Sequence, residues 1–265
     1  MTQDMPTWTA NVVALARRAG EAIMQIYAQP ETMALQHKAD ASPVTAADFA
    51  AHRVIVEGLA AITPDVPVVS EEDSDSHGLR TRCARYWLID PLDGTKEFIA
   101  RNGEFTVNIA YIEAGFPAWG VVHAPALDET FWGGQGLGAQ WQTGAASPAP
   151  CLVATQTPLR VVASKSHLND DTRAFIAQLG AHDLVQAGSS LKLCRVAQGQ
   201  AEIYPRLSPT CEWDTAAAQA VLEGAGGWVT DLHGQRLACS KAELLNPSFV
   251  AAATAPGVWW RPQAN

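Results

Sequence analysis

Residues 87–98, WLIDPLDGTKEF, set two carboxylates, Asp90 and Asp93, three positions apart and follow them with Gly94 and Thr95. Trp87, Leu88 and Ile89 have the apolar character of a buried strand's end, and Pro91 biases Asp90 toward an extended backbone. That combination aims Asp90 off the end of the strand. Gly94 allows a tight turn or a close backbone approach, and Thr95 with Lys96, Glu97 and Phe98 resembles a helix start whose free N–H groups suit a phosphate. Metal and phosphate chemistry would then share one corner. The same residue types also make an ordinary strand-turn-helix junction, with Asp side chains satisfying backbone donors and Thr95 as an N-cap. The rest of the chain decides between them.

Further acidic residues fall where elements are expected to end or begin: Asp48 early in a helix, Glu71 after a strand and Asp214 at a helix start. Each has a structural explanation by itself, as a cap, as part of a solvated acidic loop, or as a partner of the helix dipole. Together they have the chemical type that hard Mg²⁺ ions require, oxygen ligands without dedicated His or Cys cages. Two such ions about 4 Å apart can activate water, hold a phosphate and stabilise the leaving oxygen of a phosphate ester. Asp48 and Thr95 would serve as a proton relay for that water.

The elements that must position these groups follow from periodicity. Residues 8–29 carry Trp8, Val12, Leu15, Ala16, Ala19, Ile23 and Ile26 at helical spacing, and a second helix runs through Ala47, Ala50, Val54, Ile55 and Leu59. Thr45 with Asp48 is a loose variant of a capping box at its start. Residues 66–70 form a short strand ending at Glu71, and the segment to Ala84 reads as polar loop. Strands are predicted at 105–113 and 118–124, joined by hairpin turn chemistry at 114–117, with shorter strands at 131–132 and 139–141. Residues 143–158, rich in Ala, Pro and Thr, read as a linker. Beyond it strands (160–163, 183–186, 201–204, 227–231, 249–252) and helices (170–179, 190–198, 213–223) mostly alternate. The first half is therefore expected to be α+β and the second α/β.

Composition bounds the function. At 265 residues, 48% hydrophobic and 17% charged, the chain is long enough for a sizeable core and has the make-up of a globular protein. With 27 acidic against 18 basic residues the formal charge is -9, which argues against broad binding of nucleic acid or anionic membrane. The five cysteines, Cys83, Cys151, Cys194, Cys211 and Cys239, include no C-x-x-C pair, so a reducing compartment is expected. No leader pattern and no apolar run near the ~20 residues of a membrane span are evident. Cys211 has no placed His-Asp pair that would make it a nucleophile, and His123, within a predicted strand, reads as a packed residue.

The strings V-T-A-A-D (44–48), S-E-E (70–72), W-L-I-D-P-L-D-G-T (87–95), W-D-T-A-A (213–217) and A-G-G (225–227) resemble the inositol monophosphatase superfamily of magnesium-dependent, lithium-sensitive phosphatases, in order and across nearly the whole chain. Within it, K-A-D-A-S-P-V-T-A-A-D-F-A-A-H (38–52), L-D-G-T-K-E-F-I (92–99), N-G-E-F-T-V-N-I-A (102–110), G-S-S-L-K (188–192) and Y-P-R (204–206) are closer to the 3'(2'),5'-bisphosphate nucleotidases of the CysQ type than to the inositol enzymes. The resemblance implies a layered αβαβα sandwich of the sugar-phosphatase type, built from an α+β lobe, 1–154, holding most metal ligands and an α/β lobe, 155–265, holding Asp214 and the nucleotide pocket.

It also implies roles. Glu71, Asp90 and the Leu92 carbonyl match one metal's ligands, and Asp90, Asp93 and Asp214 match those of a second, for two or three Mg²⁺ ions per site. Asp48, Thr95 and Glu71 match the catalytic set, with Asp48 and Thr95 orienting the attacking water. Glu71, Leu92, Asp93, Gly94, Thr95 and Asp214 would contact the substrate. A bisphosphate has a second anionic group, for which Lys192 and Arg206, with His167 and Ser189, are the cationic and polar suppliers; Lys192 and Arg206 read equally as solvated surface charges. The implied reaction removes the 3'-phosphate of adenosine 3',5'-bisphosphate, giving AMP, and clears a by-product of sulfate assimilation in the cytoplasm. Peripheral association with the cytoplasmic face of the inner membrane and a homodimer stay open.

Two departures bear on substrate preference. Ala218 stands where many relatives carry Gly, and Glu212 adds an acidic group near the presumed phosphate site. The alternatives are an inositol or sugar monophosphatase with the same metal centre, and a non-catalytic sensor of metal and nucleotide. The presence of both Asp48 and Thr95 argues against the sensor, because binding alone needs no water-activating pair.

Overall fold

The computed structural model describes residues 4–29, 36–37, 43–163, 169–258 and 260. Helix α1 (Thr9–Tyr27) is followed by a small antiparallel pair, β1 (Gln36–His37) and β2 (Pro43–Val44), and by α2 (Ala46–Ile62). A seven-stranded sheet is then built from β3 (Val68–Ser70), β4 (Arg85–Asp93), β5 (Thr106–Glu113), β6 (Phe116–Ala124), β7 (Glu129–Gly134), β8 (Gly138–Thr143) and β9 (Ala149–Pro150), in that spatial order. Only β3 and β4 are parallel; the remaining pairs are antiparallel. A one-turn helix, α3 (Thr95–Ile99), leaves the end of β4.

The second sheet uses β10 (Leu159–Ala163), β11 (His182–Gln186), β12 (Ile203–Arg206), β13 (Trp228–Asp231) and β14 (Phe249–Ala252), in the order β11-β10-β12-β14-β13. Helices α4 (Asp170–Gln178), α5 (Leu191–Ala197) and α6 (Glu212–Gly224) lie between its strands in sequence. Its first three strands are parallel and its last three antiparallel.

Alternation along β4 explains the layers. Trp87 and Ile89 point into a cluster with Val12, Ile23, Ile55 and Leu59 of α1 and α2. Tyr86 and Leu88 point the other way, into a cluster with Leu191, Val196, Ala217 and Val221 of α5 and α6 that also takes in Val162, Tyr204 and Ala251 of the second sheet. Ile176 of α4 and Trp260 cover the far side of that sheet. The result is the expected αβαβα sandwich, with α5 and α6 as the middle layer. Close approach of α6 is possible because β6 carries Gly120, where an added Cβ would fall 2.4 Å from the Ala217 carbonyl oxygen.

Two loop expectations are corrected. The polar stretch after Glu71 contains 3₁₀ turns over Ser74–Thr81, started by Asp73 accepting from the Asp75 N–H. The Ala/Pro/Thr-rich 143–158 contains β9, and Cys151 and Val153 donate to Ala139 and Ala225 carbonyls, so it is docked on the fold rather than a free linker. The short strands expected at 131–132 and 139–141 extend to six residues each. The β5–β6 hairpin closes on Ala114 and Gly115, both with positive φ, as a two-residue hairpin turn of the I' type requires. No described helix is long and apolar enough to cross a membrane.

His123, predicted to be a packed residue, is buried in β6 with Nδ1 3.0 Å from Thr130 Oγ1 and 3.1 Å from the Glu129 carbonyl oxygen. The carbonyl only accepts, so Nδ1 carries the hydrogen. Burial lowers the pKa to about 4, against 6.5 for an exposed imidazole. The folded state thus binds fewer protons, and its stabilising effect is complete above pH 6.5 and is lost as pH falls toward 4. Relative to a His123→Gln variant, the parent should lose roughly 2–3 kcal/mol between pH 7.5 and 4.5 in urea unfolding; parallel pH profiles for the two proteins would contradict this.

Candidate active site

Parallel pairing of β3 with β4 sets Ser70 opposite Ile89, and the Glu71 N–H donates to the Ile89 carbonyl at 3.2 Å. Glu71 and Asp90 therefore leave adjacent strand ends side by side. Asp214 reaches the same place from the first turn of α6, where its Oδ2 accepts from the Cys211 N–H at 2.8 Å. One ligand oxygen from each of Glu71, Asp90 and Asp214 lies within 4.8 Å of the others. Asp90 is 1% exposed and the other two are half-buried.

Burial raises the Asp90 pKa well above the carboxylate range, with Glu71, Asp93 and Asp214 adding like-charge repulsion. Asp214 is raised in the same way, by burial and then by Asp93 and Glu71. Such a set is stabilised by a cation, and its all-oxygen donors fit a hard divalent ion.

Asp93 is close to this set but differently held. The ladder between β4 and β5 runs Asp90 opposite Asn108 and Asp93 opposite Thr106, so Pro91 and Leu92 stand against Val107 alone in a bulge. Asp93 Oδ2 accepts from the Ser190 N–H at 2.8 Å, the Ser189 hydroxyl and, at 3.5 Å, Asn108 Nδ2, while the Ser190 hydroxyl, 2.9 Å away, has the Asp214 carbonyl as its shorter acceptor at 2.6 Å. Leu92 buries its side chain under α1 and α2 and donates its N–H to Asp90 Oδ1 at 3.1 Å. Gly94 follows at φ 90 and starts α3.

Asp48 is fixed by the capping box at α2: its Oδ2 accepts from the Thr45 N–H at 2.8 Å and the Thr45 hydroxyl at 2.7 Å. Its Oδ1 faces the Thr95 hydroxyl at 3.4 Å. The two residues are 47 positions apart, and the fold brings them together as expected.

On the other side of Asp93 lies a cavity of about 70 Å³ lined by Asp93, Ser189, Lys192, Tyr204, Arg206 and Asp214. Lys192 is 7% exposed, with Nζ 5.8 Å from the centre of the Tyr204 ring, and burial lowers its pKa to about 8 against the opposing pull of Asp93. Half-buried Arg206 donates to the Pro209 carbonyl at 3.2 Å. Neither is a freely solvated surface charge. Ser189, at φ 49, bonds Thr106 Oγ1 and the Asp93 carbonyl as well as its carboxylate. His167 lies outside the described residues. A larger cavity of about 610 Å³, bordered by Trp8, Tyr111, Trp119 and Arg236, contains none of the predicted site residues.

Glu212 is not near the phosphate corner as expected. Its carboxylate is fully buried on the opposite side of the α6 start, accepting from Arg80 and Lys241 at 2.7 Å each. Ala218 is enclosed in the core between the sheets. Sequence reasoning read Thr45 as a cap partner of Asp48 but gave no individual role to Ser190, Asn108 or Thr106, which orient Asp93 directly or through one another. A signal existed for two of them: Thr106 and Asn108 are polar residues on alternate positions of an apolar strand, hence on one face of it.

The sequence profile of the inositol monophosphatase family matches residues 4–262. The chain is 50% identical over 239 residues to "3'(2'),5'-bisphosphate nucleotidase CysQ" of Salmonella typhimurium and 50% identical to the protein of the same name in Escherichia coli K12, covering 90% of this chain and 96% of each relative. The crystal structure of CysQ from Bacteroides thetaiotaomicron superposes with a TM-score of 0.82 at 38% identity, over 94% of this chain and 98% of that one. An inositol monophosphatase from Anabaena gives 0.71 at 25% identity over 93% and 90%.

Asn at position 90 keeps an acceptor for the Leu92 N–H and removes the buried charge. In EDTA, Asp90→Asn should be more stable than the parent by about 1–3 kcal/mol, while losing the rise in melting temperature that divalent cation gives the parent. A less stable variant in EDTA, or an unchanged response to cation, would contradict it. Matched over almost its entire length, the chain belongs to the inositol monophosphatase family.

Proposed function

We propose that the protein is a 3'(2'),5'-bisphosphate nucleotidase, a phosphoric monoester hydrolase that uses Mg²⁺ to remove the 3'-phosphate of adenosine 3',5'-bisphosphate, yielding AMP and phosphate in a step linked to sulfate assimilation. The observation that carries this reading is one small cavity lined both by carboxylates of the acidic site, Asp93 and Asp214, and by two cations, Lys192 and Arg206. A substrate with two separated phosphates matches that division of charge, and the relatives at 50% identity carry the corresponding name.

Glu71, Asp90 and Asp214, with Asp93 and the Leu92 carbonyl, would hold two or three Mg²⁺ ions. When bound, the ions supply Lewis acidity and charge neutralisation for attack of water on phosphorus. Gly94 and Thr95 would orient the reacting phosphate through backbone N–H groups. Asp48 holds the Thr95 hydroxyl hydrogen toward Oδ1, which leaves the Thr95 oxygen's lone pairs to accept a hydrogen bond from the attacking water. As that water loses its proton, the proton moves to Thr95 Oγ1 and the Thr95 hydroxyl proton moves to Asp48. Thr45 keeps the Asp48 carboxylate in place throughout. Lys192, Arg206 and Ser189, with His167, would bind the remote 5'-phosphate. Residues 1–154 and 155–265 serve as two lobes of one catalytic unit, and a cytoplasmic location fits a reaction linked to sulfate assimilation.

Phosphate release from adenosine 3',5'-bisphosphate and from inositol 1-phosphate, measured side by side with Mg²⁺ and with or without Li⁺, tests the reading. The nucleotide should be strongly preferred, Li⁺ should inhibit, and Lys192→Ala should raise the nucleotide KM by about tenfold or more, with little effect on a monophosphate. Preference for inositol 1-phosphate would overturn the substrate, and no release from either would overturn the enzyme.

A further inference from the structure

Asp90 and Glu71 are fixed to each other by sheet hydrogen bonds, whereas Asp214 arrives on a helix of the middle layer. Besides the Ser190 link between Asp93 and the Asp214 carbonyl, two bridges between these parts come from the 3₁₀ segment Ser74–Thr81 that follows Glu71. One is His77, whose Nε2 lies 2.9 Å from the Ser70 carbonyl oxygen while its ring packs 5.0 Å from the Trp213 ring. The other is Arg80, whose Nη1 donates to Glu212 Oε2 at 2.7 Å. Ser76 ties the segment back to its strand by accepting from the Ser70 N–H at 3.1 Å. The segment that follows Glu71 is thus joined to the start of α6 by a ring contact at Trp213 and an ion pair at Glu212.

Glu212 is saturated. Besides Arg80 it accepts from Lys241 Nζ at 2.7 Å and from the backbone N–H groups of Ser240 and Lys241 at 3.1 Å each. Both its oxygens are buried, and Arg80 is 5% exposed. A buried ion pair of this kind contributes little net stability over well-packed apolar groups of similar volume, but it is directional. Directionality is what a three-element carboxylate cluster needs and what Leu or Met would not supply.

We propose that Arg80 and Glu212 are positioning residues: their buried pair fixes the separation of Glu71 and Asp214 and thereby sets the affinity of the site for a divalent cation. This deepens the proposed function and rests on its reading of the acidic cluster as a metal site. The sign of the effect separates positioning from simple electrostatics. Removing the Arg80 cation makes the neighbourhood more negative, which by charge alone strengthens cation binding. Loss of positioning weakens it.

The test is Mn²⁺ binding to substrate-free protein by isothermal titration calorimetry, with melting in EDTA as the measure of fold. Arg80→Met should weaken Mn²⁺ by about tenfold or more, and Arg80→Lys, which keeps the cation and can reach Glu212, should recover most of it. The double variant Arg80→Met with Glu212→Gln removes both charges of the pair and keeps an amide oxygen for the backbone N–H groups of Ser240 and Lys241. It should melt close to the parent yet bind Mn²⁺ as weakly as the single variant, and it decides the matter should Arg80→Met fail to fold. At saturating Mg²⁺ the nucleotide KM should not move and kcat should return to within about threefold of the parent. Mn²⁺ affinity in the double variant within about twofold of the parent, or a kcat loss that no cation concentration restores, would overturn the inference alone. A parent that binds no Mn²⁺ would overturn the proposed function and the inference with it.

Discussion

Asp90 is almost wholly removed from water and faces Glu71, Asp93 and Asp214, an arrangement in which burial and repulsion both oppose ionisation. Folding has to hold these groups together against that opposition. The sheet does the first part, because the β3–β4 pairing makes Glu71 and Asp90 neighbours without any choice of side-chain rotamer. The helix does the second, since the α6 capping interaction turns the Asp214 carboxylate back over its own first turn. A cation in the middle would convert the repulsion into attraction and so favour the folded arrangement of the site.

The rest of the architecture keeps two sheets and their helices at fixed spacing. Gly120 lets the α6 backbone lie directly on β6, and α5 presents Ser190, at its start, to both Asp93 and the Asp214 carbonyl. Asn108 extends the same network by donating to Ser190 Oγ at 2.8 Å. Groups from β4, β5, α5 and α6 therefore share one set of hydrogen bonds, and displacement of any of these elements is transmitted to the carboxylates.

Much of this was legible beforehand. The run WLIDPLDGT carries strand, turn and helix start in its own residue types, and Thr45 with Asp48 announced the cap that is found. The αβαβα layering was implied by family resemblance more than by periodicity, since alternation on β4 could be seen only once its two faces had partners. Glu212 shows where sequence reasoning stops. Adjacency to Trp213 and Asp214 suggested a place in the phosphate corner, but successive residues at a helix start point in different directions, and the partners Arg80 and Lys241 lie 132 and 29 positions away. Segment 143–158 was misread for a related reason: a composition rich in Ala, Pro and Thr says nothing about a strand that pairs only at a sheet edge.

The central claim is that Glu71, Asp90 and Asp214 together bind the divalent cation that the chemistry needs. Anomalous scattering from crystals grown with Mn²⁺ tests it most directly. The account predicts manganese peaks within coordination distance of all three carboxylates, with Asp90 shared between ions. Manganese bound elsewhere, with these three carboxylates free of it, would contradict the account.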